Sequence, residues 1–522
     1  MDSDESEKKE IFSTSVTVVP GSNPSTNVPT RASSLTHADL DCEAGKGPTE
    51  FSAATVDEKA SEDEDWESDP INPRNWAPFK KWSAMAIVSL YTFIPPLASS
   101  MMSPGLPEVA ERFNIQNPTI VALTLTIFLL SFAIGPLFLA PLSEMYGRTW
   151  ILHIGNLFNI AFNLGCAFAP TTGALIGFRF LSGFSGSAPI AVGGGSVSDL
   201  FDARDRAKAM AMYNLGPLLG PAIGPVAGGF ITQTIGVKWV FIVIAILSGV
   251  GSAIAIPFLR ETYAPIIRYR RAMRDGDDEK AARAHPALIE AQGSLHKIIW
   301  VSVTRPLEML FRSFICFVLS LYMAFNYGIY YLMFSTFPAL FSDTYGFGAG
   351  VGGLAYLGLG FGFVLSTLAG ARWGDSLYKY LAKKNDGKPK PEMRIPFMLL
   401  GSILAPIGLF WYGWSAEAGV HWIMPIIGTA IFSFALMLTF LPITLYLVDS
   451  FKYAASALAA AAVFRSMLGF AFPLFGKQMY DALGKGGGNS MLAGVAIVLG
   501  IPFPIWIYYK GEEMRARNPL TK

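Results

Sequence analysis

The chain has 522 residues, a formal net charge of +1 and a mean hydropathy of +0.40. Charged residues make up 15% of it and hydrophobic residues 52%, whereas soluble domains carry about 25% charged residues. This composition argues against a set of soluble domains and indicates a membrane protein. The three cysteines form no Cys/His cluster with metal-ligand spacing, so neither a disulfide scaffold nor a structural metal site is expected.

The charges are distributed unevenly along the chain. Residues 1–78 contain 17 acidic and 6 basic side chains, whereas the remaining residues contain 22 and 34. The first segment is rich in Ser, Thr and Pro and cannot bury enough apolar surface to order itself, so it predicts a disordered acidic tail. Its first residues lack the basic start and apolar run of a cleavable signal. The basic residues form no patch on a soluble face, so no nucleic-acid partner is expected.

Twelve long apolar runs follow this tail. A transmembrane helix needs about 20 mostly apolar residues, and these runs are too long and too continuously apolar for the strands of a membrane barrel. The runs are 82–103, 118–142, 150–170, 173–195, 209–231, 239–259, 313–336, 349–371, 395–415, 421–447, 454–476 and 490–509. The sequence therefore predicts an all-α membrane protein with 12 transmembrane helices.

The placement of lysine and arginine predicts the orientation. With the N-terminus in the cytosol, 28 of the 34 basic residues after residue 78 fall on cytosolic segments, four on the other side and two inside spans. Loops rich in Lys and Arg stay in the cytosol, so both termini are expected there. The basic run at 268–274 is a candidate contact for anionic lipid headgroups, although charge runs are usually solvated.

The longest loop separates six spans from six. We therefore divide the chain into an acidic cytosolic tail (1–78), an N-terminal bundle (79–260), a cytosolic central loop (261–311), a C-terminal bundle (312–510) and a cytosolic C-terminal tail (511–522).

Span 5 carries a repeated Gly-Pro pattern. Glycines recur every four residues, at Gly216, Gly220, Gly224 and Gly228, and prolines follow the first three, at Pro217, Pro221 and Pro225. On a helix this spacing gives a stripe without side chains, against which a neighbouring helix can pack closely. Each proline removes a backbone hydrogen bond and favours a kink.

This pattern resembles the antiporter motif GxxxGPxxGG of the major facilitator superfamily, through Gly220, Gly224, Pro225, Gly228 and Gly229. The loop 140–148, APLSEMYGR, resembles the superfamily signature GxLaDrxGrk, with Ala for the first Gly, Glu for Asp and Met for the first Arg. Residues 179–183, RFLSG, are similar to RxxqG, with Ser for Gln. The stretches 69–76 (DPINPRNW) and 261–265 (ETYAP) are similar to fungal members of the twelve-span drug:proton antiporter family.

The resemblance covers residues 69 to about 512. It implies the major facilitator fold, in which two pseudo-symmetric six-helix bundles surround a central cavity and rock against each other. It also implies that the loop after span 2 acts as a cytoplasmic gate, and that a residue at the RxxqG position couples transport to protons. The candidates for gating and proton coupling are Glu144, Arg148, Arg179 and Asp199; His153 is a further candidate, although a lone histidine is more often only hydrogen-bonded.

Two arginines and no acidic residue lie inside the predicted spans. Arg179 and Arg465 each cost at least about 2.5 kcal/mol to insert and are functional candidates for that reason. They could pair with helix carbonyls, with water or with an anionic substrate group, or they could be structural. Several relatives of the drug antiporters carry an intramembrane acid that binds protons and cationic drugs. Because this chain lacks one, neutral, amphipathic or weakly acidic substrates fit better.

Span 7 contains the other candidate cavity residues. Tyr322, Asn326 and Tyr330 share one helix face at i, i+4 and i+8, and Tyr331 is adjacent. Aromatic rings with hydroxyl groups suit a cavity for apolar molecules with a few polar contacts, and the family lines its cavity with spans 1, 4, 7 and 10. With Arg465, these residues are the candidate substrate contacts. Packing between helices would explain the span 7 pattern equally well.

Together these features predict a secondary transporter rather than an enzyme, with no cofactor or bound metal. The expected activity is proton-coupled export of small amphipathic compounds, such as drugs, toxins or a fungal secondary metabolite, by a monomer in the plasma membrane. No phosphate-binding GxxxxGK[ST] loop occurs, which argues against an ATP-driven pump. Uptake or exchange of a nutrient or polyamine is one alternative, and a non-transporting membrane sensor is another. The sequence does not identify the substrate.

Overall fold

The computed structural model describes residues 66–521. Residues 1–65 of the predicted disordered tail therefore lie outside the described residues. The last part of the tail, residues 66–78, is folded: Trp76 and Asn72 are buried, and the Asn72 amide donates to the carbonyl of Trp66 at 3.0 Å. Asn75 donates to the carbonyls of Glu67 and Asp69 at 2.6 and 2.9 Å. The polar residues of the DPINPRNW stretch thus fold this segment on itself ahead of the first long helix.

The described residues are almost entirely helical. The N-terminal bundle consists of α1 (Pro78–Met101), α2 (Pro118–Tyr146), α3 (Arg148–Ala167), α4 (Thr172–Gly186 and Ala188–Leu200), α5 (Ala203–Ile235) and α6 (Val237–Phe258). The C-terminal bundle begins with α7 (Phe314–Tyr345), α8 (Ala349–Leu354 and Leu357–Ala369), α9 (Ile395–Glu417) and α10 (Ile423–Ser450). The segment Ala454–Gly500 contains a break at Gly484, which has a φ of 72°. We call its first leg (454–483) α11, and its second leg, together with Pro502–Arg517, α12.

Ten helical segments of the described chain are long and apolar enough to cross a membrane. One of them, Ala454–Arg517, contains both α11 and α12, because the chain turns back at Gly484. Helix α3 is not among the ten, since Asn156, Asn159 and Asn163 lower its hydropathy. It nevertheless packs inside the bundle, where the Asn156 amide donates to Ser248 and Ser252 of α6. Because one of these ten segments contains two helices, they account for eleven helices, and α3 completes the twelve that the sequence predicts.

The predicted central loop is helical. Three helices, Ala264–Asp275, Asp278–Ala284 and Pro286–Arg312, connect the bundles. We call the end of the molecule that carries these loop helices and the end of α12 the loop face, and the opposite end the far face. The C-terminal residues fold back on the loop face, where Arg515 donates to Glu392 at 2.8 and 3.1 Å.

The buried side chains show how the bundles meet. One hydrophobic cluster contains residues of both bundles, among them Met102 and Leu129 with Phe325 and Phe334, and it lies in the far half. Toward the loop face, a cluster around Met85 and Leu200 belongs to the N-terminal bundle, and a cluster around Leu319 and Tyr446 belongs to the C-terminal bundle. The two bundles thus share a core in the far half and have separate cores in the loop half.

Candidate functional site

Hydrogen bonds join the two bundles in the far half. The Ser99 and Tyr331 hydroxyls share a hydrogen bond of 3.0 Å, and Ser103 bonds the Tyr356 hydroxyl at 2.7 Å and donates to the carbonyl of Phe334. Nearer the far face, Thr119 donates to the Leu474 carbonyl at 3.1 Å and accepts from Gln478 at 2.7 Å. The Gly350 N–H donates to Gln233 at 2.8 Å. Helices α1, α2 and α5 are thus bonded to α7, α8 and α11.

The Gly-Pro pattern of α5 lies at this junction. Gly216, Gly220, Gly224 and Gly228 all pack against α1, and a Cβ added at Gly220 would lie 2.8 Å from the backbone N of Leu97. On another side of α5, the C-terminal bundle approaches: a Cβ at Gly353 would lie 2.6 Å from the carbonyl oxygen of Pro225, and one at Gly229 would overlap the carbonyl oxygen of Ala349. The motif helix therefore contacts its own bundle and the opposite bundle through backbone that has no side chains.

Three of the four candidate gating residues meet at the loop face. Arg148 starts α3 and is buried. Its Nε lies 3.4 Å from Asp199 Oδ2 at the end of α4, and its Nη1 donates to Ser143 at 2.7 Å and lies 3.8 Å from Glu144. Glu144 itself is 58% exposed, against 19% for Asp199. The principal ion pair of this cluster is therefore Arg148 with Asp199.

Glu261, which the sequence analysis considered only as part of the ETYAP stretch, organises the same region. Its carboxylate accepts from the backbone N–H groups of Arg148, Thr149, Thr262 and Tyr263 at 2.9 to 3.3 Å. A carboxylate at the start of α3 also complements the positive end of the helix dipole. The sequence shows an acidic residue directly after the sixth span. It does not indicate that this residue caps a helix whose first residue, Arg148, lies 113 residues earlier.

Loop helices pack over this cluster. His285 contacts the carbonyl of Glu144 at 2.8 Å, and Arg270 donates to the carbonyl of Tyr146 at 3.0 Å. The Arg148 guanidinium lies 4.7 Å from the centre of the Tyr263 ring. Burial raises the pKa of the Tyr263 phenol, so this ring is neutral near pH 7. The gating region is therefore a junction of α2, α3, α4 and the central segment.

Arg179 lies apart from the loop-face cluster. It is fully buried, and its guanidinium donates to the carbonyls of Thr124, Leu125 and Ala98 at 3.2 to 3.3 Å. The Phe128 ring centre lies 4.9 Å from the guanidinium carbon. Of the alternatives left open by the sequence, the structure shows the pairing with helix carbonyls, which ties α4 to α1 and α2.

A buried polar ladder runs through the N-terminal bundle and was missed by the sequence analysis. From the loop side, His153 contacts the Tyr91 hydroxyl at 3.3 Å. Asn156 then donates to Ser252 and to the Ser248 carbonyl at 2.7 and 2.8 Å. The ladder continues through Asn159 with Ser248 and Ser182, and ends with Asn163 on Ser182. The signal was the placement of three asparagines at i, i+3 and i+7 on one face of a membrane helix.

The four candidate residues of α7 are buried but face different neighbours. The Tyr322 ring lies against Gly500 of α12, inside the C-terminal bundle, and Asn326 is fully buried. Tyr330 packs on Phe363 of α8, with ring centres 5.2 Å apart. Only Tyr331 of the four makes a cross-bundle hydrogen bond among the described residues. The structure therefore groups Tyr322 and Asn326 within one bundle and places Tyr331 between the bundles.

Arg465 is half-buried in the middle of α11. Its guanidinium carbon lies 4.8 Å from the ring centre of Tyr327 on α7 and 5.2 Å from that of Phe440 on α10. The rings of Tyr327 and Tyr331 are tilted by 53° relative to each other, with ring centres 5.0 Å apart. Arg465 and Tyr331 are thus linked through Tyr327, a residue that the sequence analysis did not select.

Residues 88–473 match the family described as Major Facilitator Superfamily. The chain belongs to this superfamily. It is 43% identical over 456 residues to the efflux pump radE of Floropilus chiversii, covering 87% of this chain and 84% of radE. It is 40% identical over 479 residues to the efflux pump vrtL of Penicillium aethiopicum, covering 90% of this chain and 94% of vrtL.

A solved structure of similar fold is the xylose transporter XylE from E. coli in a partially occluded inward open conformation. The TM-score is 0.58 at 15% identity, and the match covers 82% of this chain and 99% of XylE. The predicted major facilitator fold and the predicted class, a transporter rather than an enzyme, are confirmed. The protein is a multi-pass membrane transporter.

Proposed function

We propose that this transporter exports small amphipathic compounds from the cell in exchange for protons. We further propose that it lies in the plasma membrane of a fungus, with both termini in the cytosol. One observation carries the proposal: the bundles share a core in the far half and have separate cores in the loop half. This arrangement fits one end-state of alternating access, with the pathway open toward the loop face. The names of radE and vrtL, both efflux pumps, support export.

The Gly-Pro motif also fits alternating access, because it lies where the two bundles would have to separate. Its glycines let α5 lie directly on α1, and the end of the motif nearer the far face contacts α8 of the opposite bundle. We call this region of contact between the two bundles the seam. Opening the far face requires this seam to separate while the contact with α1 persists. Because backbone surfaces without side chains have no interlocking groups, they can part and close again with little rearrangement.

The Arg148–Asp199 pair is the proposed site of gating and proton coupling. Protonation of Asp199 removes the negative charge opposite Arg148 and frees the guanidinium to turn toward Glu144, which lies 3.8 Å away and is exposed. Such a change can bias a two-state equilibrium because the pair contributes differently to the two states. Arg179 has a positioning role in this proposal, since it holds α4, on which Asp199 lies, against α1 and α2.

The substrate is expected to bind between α7 and the N-terminal bundle, near Tyr331 and Arg465. The buried hydroxyls of Tyr322 and Tyr330 and the amide of Asn326 have no hydrogen-bond partner within the described chain. Buried polar groups normally have one, so water is proposed to bind these side chains within the C-terminal bundle, whereas Tyr331 and Arg465 are the proposed polar contacts for substrate. The expected partners are therefore a small-molecule substrate, protons and membrane lipid, and the protein is proposed to act as a monomer.

The test is transport by a pump-deficient yeast host that expresses the full chain, across a panel of amphipathic compounds, with and without a proton uncoupler. We expect lower accumulation of some compounds, and loss of this effect with the uncoupler. Higher accumulation would contradict export and favour uptake. Unchanged accumulation of every compound would contradict transport of this substrate class, and purified protein reconstituted in vesicles would check that result.

A matched pair of variants tests the motif. Gly224→Leu places a side chain on Ser100 and on the Leu97 carbonyl, and should abolish efflux. Gly249→Leu on α6 adds the same side chain where a Cβ meets no other atom of the described chain within 4 Å, so efflux should remain. Equal amounts of both variants in the membrane, measured by immunoblot, make the comparison valid. Normal efflux by Gly224→Leu would contradict the proposed role of the motif.

A further inference from the structure

Arg465 lies deep in the membrane part of the protein. It is 11 residues from the start of α11 at Ala454, which is about 17 Å along the axis at ~1.5 Å per residue. The hydrocarbon core is about 30 Å thick, so the guanidinium lies near its middle. The guanidinium carbon is flanked by two aromatic rings, with the ring centre of Tyr327 at 4.8 Å and that of Phe440 at 5.2 Å.

The contrast with Arg179 defines what Arg465 lacks. Arg179 donates to three backbone carbonyls and is fully enclosed. Within residues 66–521, Arg465 has neither a hydrogen-bond acceptor nor an ion-pair partner, and its Nε is buried and unpaired. A guanidinium has five N–H donors and stays protonated in proteins. Ring faces attract the cation but accept none of these hydrogen bonds in full, so the donors of Arg465 remain available.

The acidic residues at the ends of α10 and α11 are already paired. Asp449, at the end of α10, accepts from Arg394 at 2.7 Å at the loop face. Asp481, at the end of α11, lies 3.2 Å from Lys477 on the far side. No acidic residue lies inside the predicted spans. The anion that would complete Arg465 therefore has to come from outside the described chain.

Arg465 lies close to the contacts between the two bundles, on the side where we propose that the transport pathway opens. One turn nearer the far face, a Cβ at Gly469 would lie 3.1 Å from the ring of Tyr327 and 3.4 Å from Leu129 of α2, so the bundles touch there. One turn along α7, Tyr331 bonds Ser99 of α1. Arg465 thus lies about one helical turn toward the loop face from these cross-bundle contacts.

We infer that Arg465, Tyr327 and Phe440 form a subsite for an acidic group of the transported compound. The substrates are then amphipathic organic acids, in which a carboxylate or an acidic phenol is attached to an apolar or aromatic body. A guanidinium binds a carboxylate through two parallel hydrogen bonds, and the two rings contact the adjacent apolar body. This inference rests on the proposed function and adds the charge class of the substrate.

The test compares matched compounds in the same pump-deficient host. Each set has one aromatic body as the carboxylic acid, the neutral methyl ester and the corresponding primary amine. We expect the wild type to export acids in preference to their esters and amines. Arg465→Gln should lower kcat/KM for acids by about 10- to 150-fold, the range for losing a hydrogen bond to a charged group, and leave esters unchanged. Arg465→Lys should keep part of the activity, and Lys477→Gln at the exposed end of α11 should change nothing.

Binding to the purified full chain separates this inference from the proposed function. Thermal shifts with the same acids and esters should show acid binding that weakens in Arg465→Gln by the same factor. If acids bind through Arg465 but no compound is exported, the subsite stands and the export proposal fails. If export occurs equally for esters or amines and Arg465→Gln transports acids normally, the subsite is refuted while export stands. Absence of acid binding to the wild type refutes the subsite as well, and equal melting of variant and wild type without ligand controls for folding.

Discussion

Adjacent glycines of α8 provide a test of the seam between the bundles. Gly353 faces α5, where a Cβ would lie 2.6 Å from the Pro225 carbonyl oxygen, and a Cβ at Gly352 meets no other atom of the described chain within 4 Å. Gly353→Ala must therefore push the helices apart by about 0.8 Å to reach an ordinary contact near 3.4 Å. Overpacking of this kind costs about 1–3 kcal/mol. Gly352→Ala makes the same change in helix propensity without the collision.

The cost falls on one conformation only, because Gly353 and Pro225 belong to different bundles. Gly353→Ala should therefore lower the ratio of far-face-joined to far-face-open protein by about 5- to 150-fold. Spin labels at Thr119→Cys and Gln478→Cys, whose native side chains lie 2.7 Å apart across the seam, would report this ratio as short and long distances in a double electron–electron resonance experiment. Cys42→Ser removes the cysteine that lies outside the described residues, and Cys166 and Cys316 are buried.

The two alanine variants should differ in their distance distributions. We expect Gly352→Ala to reproduce the distance distribution of the labelled parent and Gly353→Ala to shift it toward long distances. Identical distributions for the two variants would refute a close backbone contact at this seam. A shift toward short distances would show that alanine at position 353 favours the far-face-joined conformation, which would also contradict the expected collision.

Three further predictions concern polar contacts at the loop face. Glu261→Gln should weaken the cap of α3 by about 1–2 kcal/mol, detected as faster hydrogen exchange in its first turn. Glu392→Gln removes the charge that Arg515 pairs with and should cost about 3–5 kcal/mol, seen as a lower melting temperature and easier proteolysis of the C-terminal segment; unchanged melting would contradict this. A backbone N–H and then Arg271 lower the pKa of Asp69. The Asp69–Arg271 contact should therefore persist above pH ~4 and be lost as pH falls through the depressed pKa; Asp69→Asn should mimic the acid state at pH 7, measured by hydrogen exchange of residues 66–76.

Much of the architecture follows from the sequence. Length and hydropathy give the spans, and the glycine spacing of α5 predicts a close helix contact, which the structure places on α1. The loop signature also brings Arg148 and Glu144 together because they are four residues apart on adjoining helix ends. These features depend on local sequence and on the roughly constant thickness of the membrane.

Features that depend on distant pairing could not be predicted. Glu261 caps a helix that starts 113 residues earlier, and nothing near it in the sequence indicates that partner. On α7, helical spacing gives the relative positions of Tyr322 and Tyr331 but not the rotation of the helix, so it could not distinguish the ring that faces α12 from the ring that meets α1. The central segment was predicted to be a loop because it is charged and lies between two apolar runs, whereas the structure shows three helices of 7 to 27 residues there.

The asparagine ladder has a consequence for biogenesis. The partners of Asn156 lie 92 and 96 residues later in the chain. When α3 leaves the ribosome, α6 has not yet been synthesised, so the amides of Asn156 and Asn159 lack their acceptors in lipid, where each unsatisfied group is costly. Helix α3 is therefore a poor candidate for independent release into the bilayer. We expect it to remain beside the translocon or its preceding helices until α6 arrives, so that the N-terminal bundle is inserted as an assembled unit rather than helix by helix.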